Sequence, residues 1–295
     1  MNDDLRFGLV GTGYWATETH ARGIAAAPGA SLSAVWGRNP TAADTLASSF
    51  GARSYEHFED FLGHVDAVSF SVPPDVQAPL AVRAANAGKH LLLEKPIALD
   101  EPAGDKLVAA VESNDIAALV FFTHMFSPPV LEWFEMCDKA VWLGGDANWL
   151  GSALISDNPF NTPWRRVHGG LWDVGPHVIG NLQRTLGPIV GVTTDIGSAD
   201  VTHLVLHHET GATSTSTLTL SAPDKADGFT MMLWGPAGRT YLPIDEVDSV
   251  VAHTHAAKTL VELAESGRRG HPADVRMGRD VLRLLATAQR QIDAR

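Results

Sequence analysis

Residues 5–16 read LRFGLVGTGYWA, a short apolar run from Leu5 to Val10 that ends in glycine and opens a helical pattern, TETHARGIAAA. At that junction Gly11-Thr12-Gly13-Tyr14-Trp15-Ala16 fits G-x-G-x-x-[G/A]. The first glycine permits a tight turn and the second lets a pyrophosphate approach the backbone. Ala16 lets the helix pack on the strand, and the helix N-terminus attracts phosphate. Alone, such a motif is weak, because glycine turns are common. Strand, turn and helix in succession, with a second strand ending at the expected distance, point to a dinucleotide site.

Working outward, the first 122 residues keep alternating. SLSAVWG (31–37) reads as a strand, followed by a helix over NPTAADTLASSFG with an Asn39 cap and a Gly51 stop. DAVSFSV (66–72) is a third apolar run, and PDVQAPLAVRAANAG a helix with proline in its first turn and Gly88 past its end. KHLLLEKP (89–96), a helix near 100–113, and IAALVFF (116–122) complete the series. Apolar strands separated by helices predict a parallel, doubly wound sheet, so residues 1–122 are expected to be a Rossmann domain.

After residue 123 the pattern changes. A proline-broken helix, SPPVLEWFEMCDKA, leads to a glycine-rich stretch and a helix near 171–186. From 189 to 244 short alternating runs (VTHLVLHHE, GATSTSTLTLS, GFTMMLWG, RTYLPI) are divided by turn signals, as in antiparallel hairpins. A last helix is predicted over 274–293. Residues 123–295 are therefore expected to form an α+β domain with an open, mainly antiparallel sheet.

Composition narrows the function. The 295 residues suffice for two ordinary domains, and 45% hydrophobic with 19% charged residues is a globular balance. A formal net charge of −12 repels phosphate backbones and anionic lipid, so neither nucleic acid nor membrane is an expected partner. No apolar run approaches the length needed to cross a bilayer, and MNDDLRFG carries no leader pattern, so a cytoplasmic location is expected. Cys137 is the only cysteine, which excludes an intrachain disulfide and a cysteine-cluster metal site; no metal is expected.

Three further signals bear on chemistry. NAD sites place an acid at the end of the second strand, whereas this chain has Trp36-Gly37-Arg38-Asn39, with no carboxylate and a guanidinium suited to a 2′-phosphate. NADP is therefore expected, with NAD possible. Glu94-Lys95-Pro96 ends the fourth long strand, on the sheet edge where open α/β folds bind ligands. In Gly169-Gly170-Leu171-Trp172-Asp173-Val174-Gly175-Pro176-His177, Asp173 and His177 are four apart and share a helix face, with Pro176 marking a first turn. The dipole there would keep Asp173 ionised and His177 neutral, a competent proton acceptor.

Together these segments resemble the glucose–fructose oxidoreductase / inositol dehydrogenase / MocA family. The glycine motif, SVPPDVQAPLAVRAANAGKHLLLEKP (71–96), FSPPV (126–130), Trp164-Arg165 and GGLWDVGPH fall in the family's order along essentially the whole chain. The resemblance implies hydride transfer between a nicotinamide and a sugar, polyol or related hydroxyl compound. It implies that Lys95 holds the reacting oxygen, His177 acts as general acid/base, and Asp173 orients them, the three converging in a cleft between the domains. It further implies a cis Lys95–Pro96 peptide and a homodimer or homotetramer formed through the C-terminal sheet. Besides Gly11, Gly13, Trp36, Gly37 and Arg38, the residues expected against the cofactor are Tyr14, Trp15, Ser71, Pro73, Gln77, Glu94, Lys95, Trp164 and Arg165.

The chain also departs from the family's pattern. Val72-Pro73-Pro74 and Gln77 stand where Thr-Pro-Asn and a histidine are frequent, and Thr123-His124-Met125 where many members have Asn-Arg-Arg. These leave the redox machinery in place and the substrate open. Two alternatives stand beside it: redox-neutral, cofactor-assisted glycoside cleavage or elimination, and a non-catalytic NADP-binding regulator. His124 and His168 are further pocket candidates. His207-His208 alternate faces of a strand and read as structural, and Trp133, Trp142 and Trp149 as core or interface.

Overall fold

Six parallel strands make the first sheet: β1 (Leu5–Val10), β2 (Ala30–Trp36), β3 (Arg53–Tyr55), β4 (Ala67–Phe70), β5 (His90–Leu93) and β6 (Ala118–Val120). Their order, β3-β2-β1-β4-β5-β6, reverses between β1 and its neighbour β4. Open α/β sheets bind ligands beyond the strands' carboxyl ends at such a point. The strands are buried on both faces, with Leu9, Val10 and Leu91 to Leu93 shielded from water. β3, three residues at the sheet edge, is too short and polar for a periodicity argument. The computed structural model describes residues 4–155 and 158–295.

Local signals set most helices of this half. Asn39 Oδ1 accepts from Ala42 N–H at the start of Pro40–Ser49, and Asp100 does the same for Glu101–Ser113. Pro74–Asn86 begins on proline. The helix after β1 differs from expectation: Ala16–Ala21 is a π-helix, and only Arg22–Ala26 is α.

The chain returns to this unit after leaving it. The Ser249–Ser266 helix, capped by Asp248, buries Ala252, Ala256 and Leu260 on one stripe and packs on the Arg22–Ala26 helix and β5. One compact unit is therefore the chain to Ser127 with Asp248–Arg279, and the other is Pro128–Val247 with Asp280–Arg295. The single boundary expected at 122/123 gives way to this discontinuous division, because an apolar stripe far along the sequence is buried in the first unit.

The second unit is built on β7 (Gly144–Leu150), β8 (Ile189–Ile196), β9 (Thr202–His208), β10 (Thr213–Thr219), β11 (Gly228–Gly235) and β12 (Gly238–Tyr241), in the order β12-β11-β7-β10-β9-β8. Every neighbouring pair is antiparallel except β7 and β10. Alternation is clean: Leu204 and Leu206, Ser214 and Ser216, Met231 and Leu233 are buried, and the residues between them more exposed. The buried face is covered by the Gly175–Leu186 helix and the C-terminal segment, where Gln291 bonds Thr194 N–H and Val192 C=O. His208 is held between Gly187 C=O and Ser214 Oγ, a structural role as expected. Among the described residues no helix is long and apolar enough to cross a membrane.

Candidate active site

In the first unit the glycine turn has the geometry its sequence calls for. Gly11 has φ +123°, and a Cβ there would lie 2.3 Å from Ser71 C=O, so no other residue fits. Its N–H donates to Trp36 C=O at 2.9 Å, and Ser71 N–H donates to Val10 C=O, tying β1, β2 and the β4 loop together. A Cβ at Gly13 would meet nothing within 4 Å, which leaves its backbone open to a phosphate, and Ala16 is fully buried. These residues fit a dinucleotide.

At the end of β2, Trp36 Nε1 donates to Glu56 C=O and its ring meets Phe58 edge-on. Arg38 is exposed and, among the described residues, makes no ion pair. Thr12 occupies the space beside Gly37: a Cβ at 37 would lie 2.7 Å from Thr12 Cγ2. That crowding was not legible in the sequence.

Glu94 and Lys95 leave the end of β5 in a tight turn with a cis Lys95–Pro96 peptide, as expected. Gln77 holds that turn. Its Oε1 accepts from Glu94 N–H at 2.8 Å, and its Nε2 donates to Glu94 C=O at 2.8 Å and toward the carbonyls of Pro96 and Ile97. Gln77 is fully buried and its amide is committed here. It was expected against the cofactor and instead supports Lys95 from behind. Pro73, likewise expected at the cofactor, has its C=O accept from Val76 and Gln77 N–H at the head of the Pro74–Asn86 helix. Tyr14 is exposed at the glycine turn.

The Glu94 carboxylate has three partners among the described residues. Oε1 accepts from Trp15 Nε1 at 2.7 Å and lies 3.1 Å from His20 Nε2, while Oε2 accepts the Lys95 backbone N–H at 3.1 Å. Burial would raise its pKa, but hydrogen bonds from His20 and Trp15 and the charge of Lys95 outweigh burial and hold it below the usual carboxylate value. His20 and, behind it, Ser69 and His253 were not anticipated. The one sequence trace of His253 is a polar residue on an otherwise apolar helix stripe.

In the second unit, Trp164 and Arg165 open the Pro163–Asp173 helix. That helix is broken at Gly169, where φ is +61° and ψ −162°. Asp200, also unforeseen, secures the break: Oδ2 accepts from Gly170 N–H at 3.0 Å and Leu220 N–H at 2.7 Å, and Oδ1 from Thr219 Oγ1. Asp173 ends this helix and His177 lies in the first turn of Gly175–Leu186, with Pro176 beside it. The expectation of one continuous helix face is thus corrected, since Val174 joins two segments. The path stays close to helical, with Val174 N–H donating to Gly170 C=O and Val178 N–H to Val174 C=O.

Arg165 donates from Nε to Asp173 Oδ2 at 2.7 Å, and its guanidinium lies over the Phe160 and Trp164 rings. Arg165, expected at the cofactor, is also Asp173's ion-pair partner. The His177 ring is 5.4 Å from that of the half-buried Trp149, which in turn meets Phe229 at 4.9 Å, so Trp149 is part of the His177 environment. His168 stacks between Trp164 and Trp172. His124 is buried in the first unit, and burial pushes its pKa down to about 4.

Comparison with known proteins agrees with this geometry. Residues 5–122 match the family described as "Oxidoreductase family, NAD-binding Rossmann fold". The chain is 27% identical over 222 residues to the oxidoreductase YdgJ of Escherichia coli (strain K12), an alignment covering 70% of this chain and 63% of that protein. It is 33% identical over 126 residues to inositol 2-dehydrogenase of Rhizobium meliloti (strain 1021), covering 42% and 38%. The chain thus spans less than two thirds of these relatives' length. Two solved structures share the fold along nearly the whole chain. Levoglucosan dehydrogenase, in complex with NADH and levoglucosan, has a TM-score of 0.86 at 17% identity, covering 99% of this chain and 98% of that one. GenD2 from gentamicin A biosynthesis, in complex with NAD, has 0.85 at 20%, covering 100% and 96%. The family match thus falls on the Rossmann part of the chain, residues 5–122, and the two solved structures share its fold.

Proposed function

We propose, from the family match over residues 5–122 and the residues around Lys95, that this protein is a nicotinamide-dependent oxidoreductase acting on a hydroxyl or carbonyl carbon of a sugar, polyol or related compound. The observation that carries the proposal is the Lys95 turn. A lysine is set on the carboxyl end of β5, fixed by Gln77 and the Glu94 carboxylate, in the same unit as a glycine turn open to phosphate. A turn braced by a fully buried amide has no evident purpose unless Lys95 must be held still.

When bound, the nicotinamide supplies or accepts the hydride. The remaining work is done by the chain's own groups. The Lys95 ammonium stabilises the alkoxide-like oxygen, and neutral His177 takes the hydroxyl proton, or returns it in the reverse direction. Asp173, held by Arg165, fixes the orientation of the His177 segment or binds a neighbouring hydroxyl. Acid–base assistance of this kind contributes about 10²–10⁴-fold.

NADP is the favoured cofactor, because Arg38 pairs with no acid among the described residues and Thr12 fills the space where a carboxylate at position 37 would begin. Association into a homodimer or homotetramer would use the open face of the second sheet. A panel of sugars, polyols and dihydrodiols assayed with both cofactors tests the function. Net cofactor reduction with carbonyl product is expected. Product without net reduction would instead assign a redox-neutral cleavage or elimination, and cofactor binding without turnover a regulator.

A further inference from the structure

Behind the Lys95 turn lies a row of buried polar groups that the proposed chemistry does not use. His20 and His253 are fully buried with ring centroids 4.3 Å apart, and Phe121 packs on both rings. Ser69, also fully buried, lies between them, its Oγ 2.9 Å from His20 Nδ1 and 3.5 Å from His253 Nε2. His20 Nε2 reaches Glu94 Oε1 at 3.1 Å. Trp15 and His20 are five residues apart, about 140° round an α-helix axis. The π-turn at Ala16–Ala21 lets both approach the same carboxylate oxygen.

The proton positions follow from the ends of the row. Glu94, held ionised, can only accept, so His20 Nε2 carries a hydrogen. At the other end burial keeps the His253 pKa well below its ordinary value, so this ring carries one proton. Its Nδ1 has no hydrogen-bond partner and is closed off by the backbone of Gly23, where a Cβ would lie 2.6 Å away. A hydrogen on Nδ1 would be a stranded buried donor, whereas a lone pair there costs less. The proton therefore sits on Nε2 and is donated to Ser69 Oγ. Ser69, having accepted, has its own hydrogen to give to His20 Nδ1 whenever that ring is neutral, and His20 Nε2–H points at Glu94. Reversing the row would strand the His253 donor.

We propose that His253, Ser69 and His20 form a one-way hydrogen-bond chain that aims a donor at Glu94 Oε1 and so positions the carboxylate whose other oxygen receives the Lys95 N–H. They are positioning residues, since none is placed at reacting atoms. The importance given to Lys95 rests on the function proposed above; the hydrogen-bond chain itself does not. The Gly23 contact gives a physical reason for the absence of a side chain there.

The test reads Glu94 directly. In the full-length protein labelled with ¹³C-carboxyl glutamate, the Glu94 signal is assigned by its loss in Glu94→Gln and titrated by NMR. Ser69→Ala, which removes the relay hydroxyl, and His253→Leu, which removes the first donor, should raise the Glu94 midpoint by about one unit. They should lower kcat roughly tenfold with KM and cofactor affinity little changed. His253→Gln keeps an N–H donor and should leave both near wild type. An unchanged Glu94 midpoint in Ser69→Ala and His253→Leu would overturn the proposal. So would a His253→Gln variant shifted as far as His253→Leu, because that indicates packing alone. If Ser69→Ala does not fold, the His253 pair decides. Wild-type turnover by Lys95→Ala would overturn the functional assignment while leaving the Glu94 titration to judge the chain.

Discussion

Arg165 and Asp173 form an ion pair, Nε to Oδ2 at 2.7 Å, with side chains only 20% and 10% exposed. In an unbroken helix residues eight apart are separated by about 12 Å along the axis. The pair exists because the backbone turns at Gly169 and Asp200 secures the turn. Arg165→Ala removes the ion-pair partner of a mostly buried carboxylate and should cost about 1–3 kcal/mol in urea unfolding, below the full penalty for a wholly buried pair. Gly169→Ala forces a Cβ into φ +61°, 3.2 Å from Asp200 Cβ. It should destabilise by about 1–3 kcal/mol and lower turnover as well. Wild-type stability and activity in both would separate the ion pair from function.

Cofactor selectivity should follow Arg38. Fluorescence titration should show NADP(H) binding more tightly than NAD(H). Arg38→Ala should weaken NADP(H) about 10–100-fold and leave NAD(H) unchanged, as for a lost charge-assisted contact. Installing an acid is not a single-residue change. Gly37→Asp meets Thr12 Cγ2 and should lose about 1–3 kcal/mol. Adding Thr12→Ser removes that methyl and should restore most of the loss, seen as a positive coupling in a double-mutant cycle. Tighter NAD(H) binding by the wild type would contradict the assignment.

Gln77 makes a sharper stability case. Gln77→Leu keeps the bulk and removes both ends of the amide, leaving Glu94 N–H and C=O without their side-chain partner. Each stranded group costs about 1–3 kcal/mol, so a loss of several kcal/mol in chemical denaturation is expected. Gln77→Glu keeps the acceptor for Glu94 N–H but turns a second carboxylate oxygen toward the carbonyls, and should be at least as damaging. A loss below about 1 kcal/mol in both would mean that the turn is held by other contacts.

These cases show where sequence stopped being informative. The Rossmann sheet was legible because buried parallel strands are long apolar runs, and the glycine turn, Lys95, Asp173 and His177 lay in motifs with spacing of their own. β3 and β7 were missed because one is three residues long and the other starts with two glycines and carries polar residues at alternate positions. His20, Ser69 and His253 were missed because their association depends on a π-turn and on a helix more than 180 residues away in the chain. The brace that Gln77 makes around Glu94 was not legible either, because nothing local shows that an amide already has its partners in the protein.

Stability should also depend on pH through His124. Burial lowers its pKa from 6.5 to about 4, so the unfolded chain binds the proton more readily than the folded one between those values. Its contribution is retained above pH 6.5 and lost as pH falls toward 4. Comparing unfolding free energies at pH 7 and pH 5, His124→Gln should lose about 2 kcal/mol less than the wild type over that interval. Other buried histidines, His253 among them, keep the same sign in both proteins and cancel in the comparison. Equal losses would place the proton elsewhere.

The most direct measurement follows the hydride itself. With reduced cofactor dideuterated at C4 and a carbonyl compound identified in the panel, the label should appear on the carbinol carbon of the product, one deuterium per cofactor oxidised. Lys95→Ala and His177→Ala should slow this transfer by about 10²–10⁴-fold while binding the cofactor with near-wild-type affinity. Transfer at wild-type rates in both variants, or product formed with no deuterium at that carbon, would contradict the account.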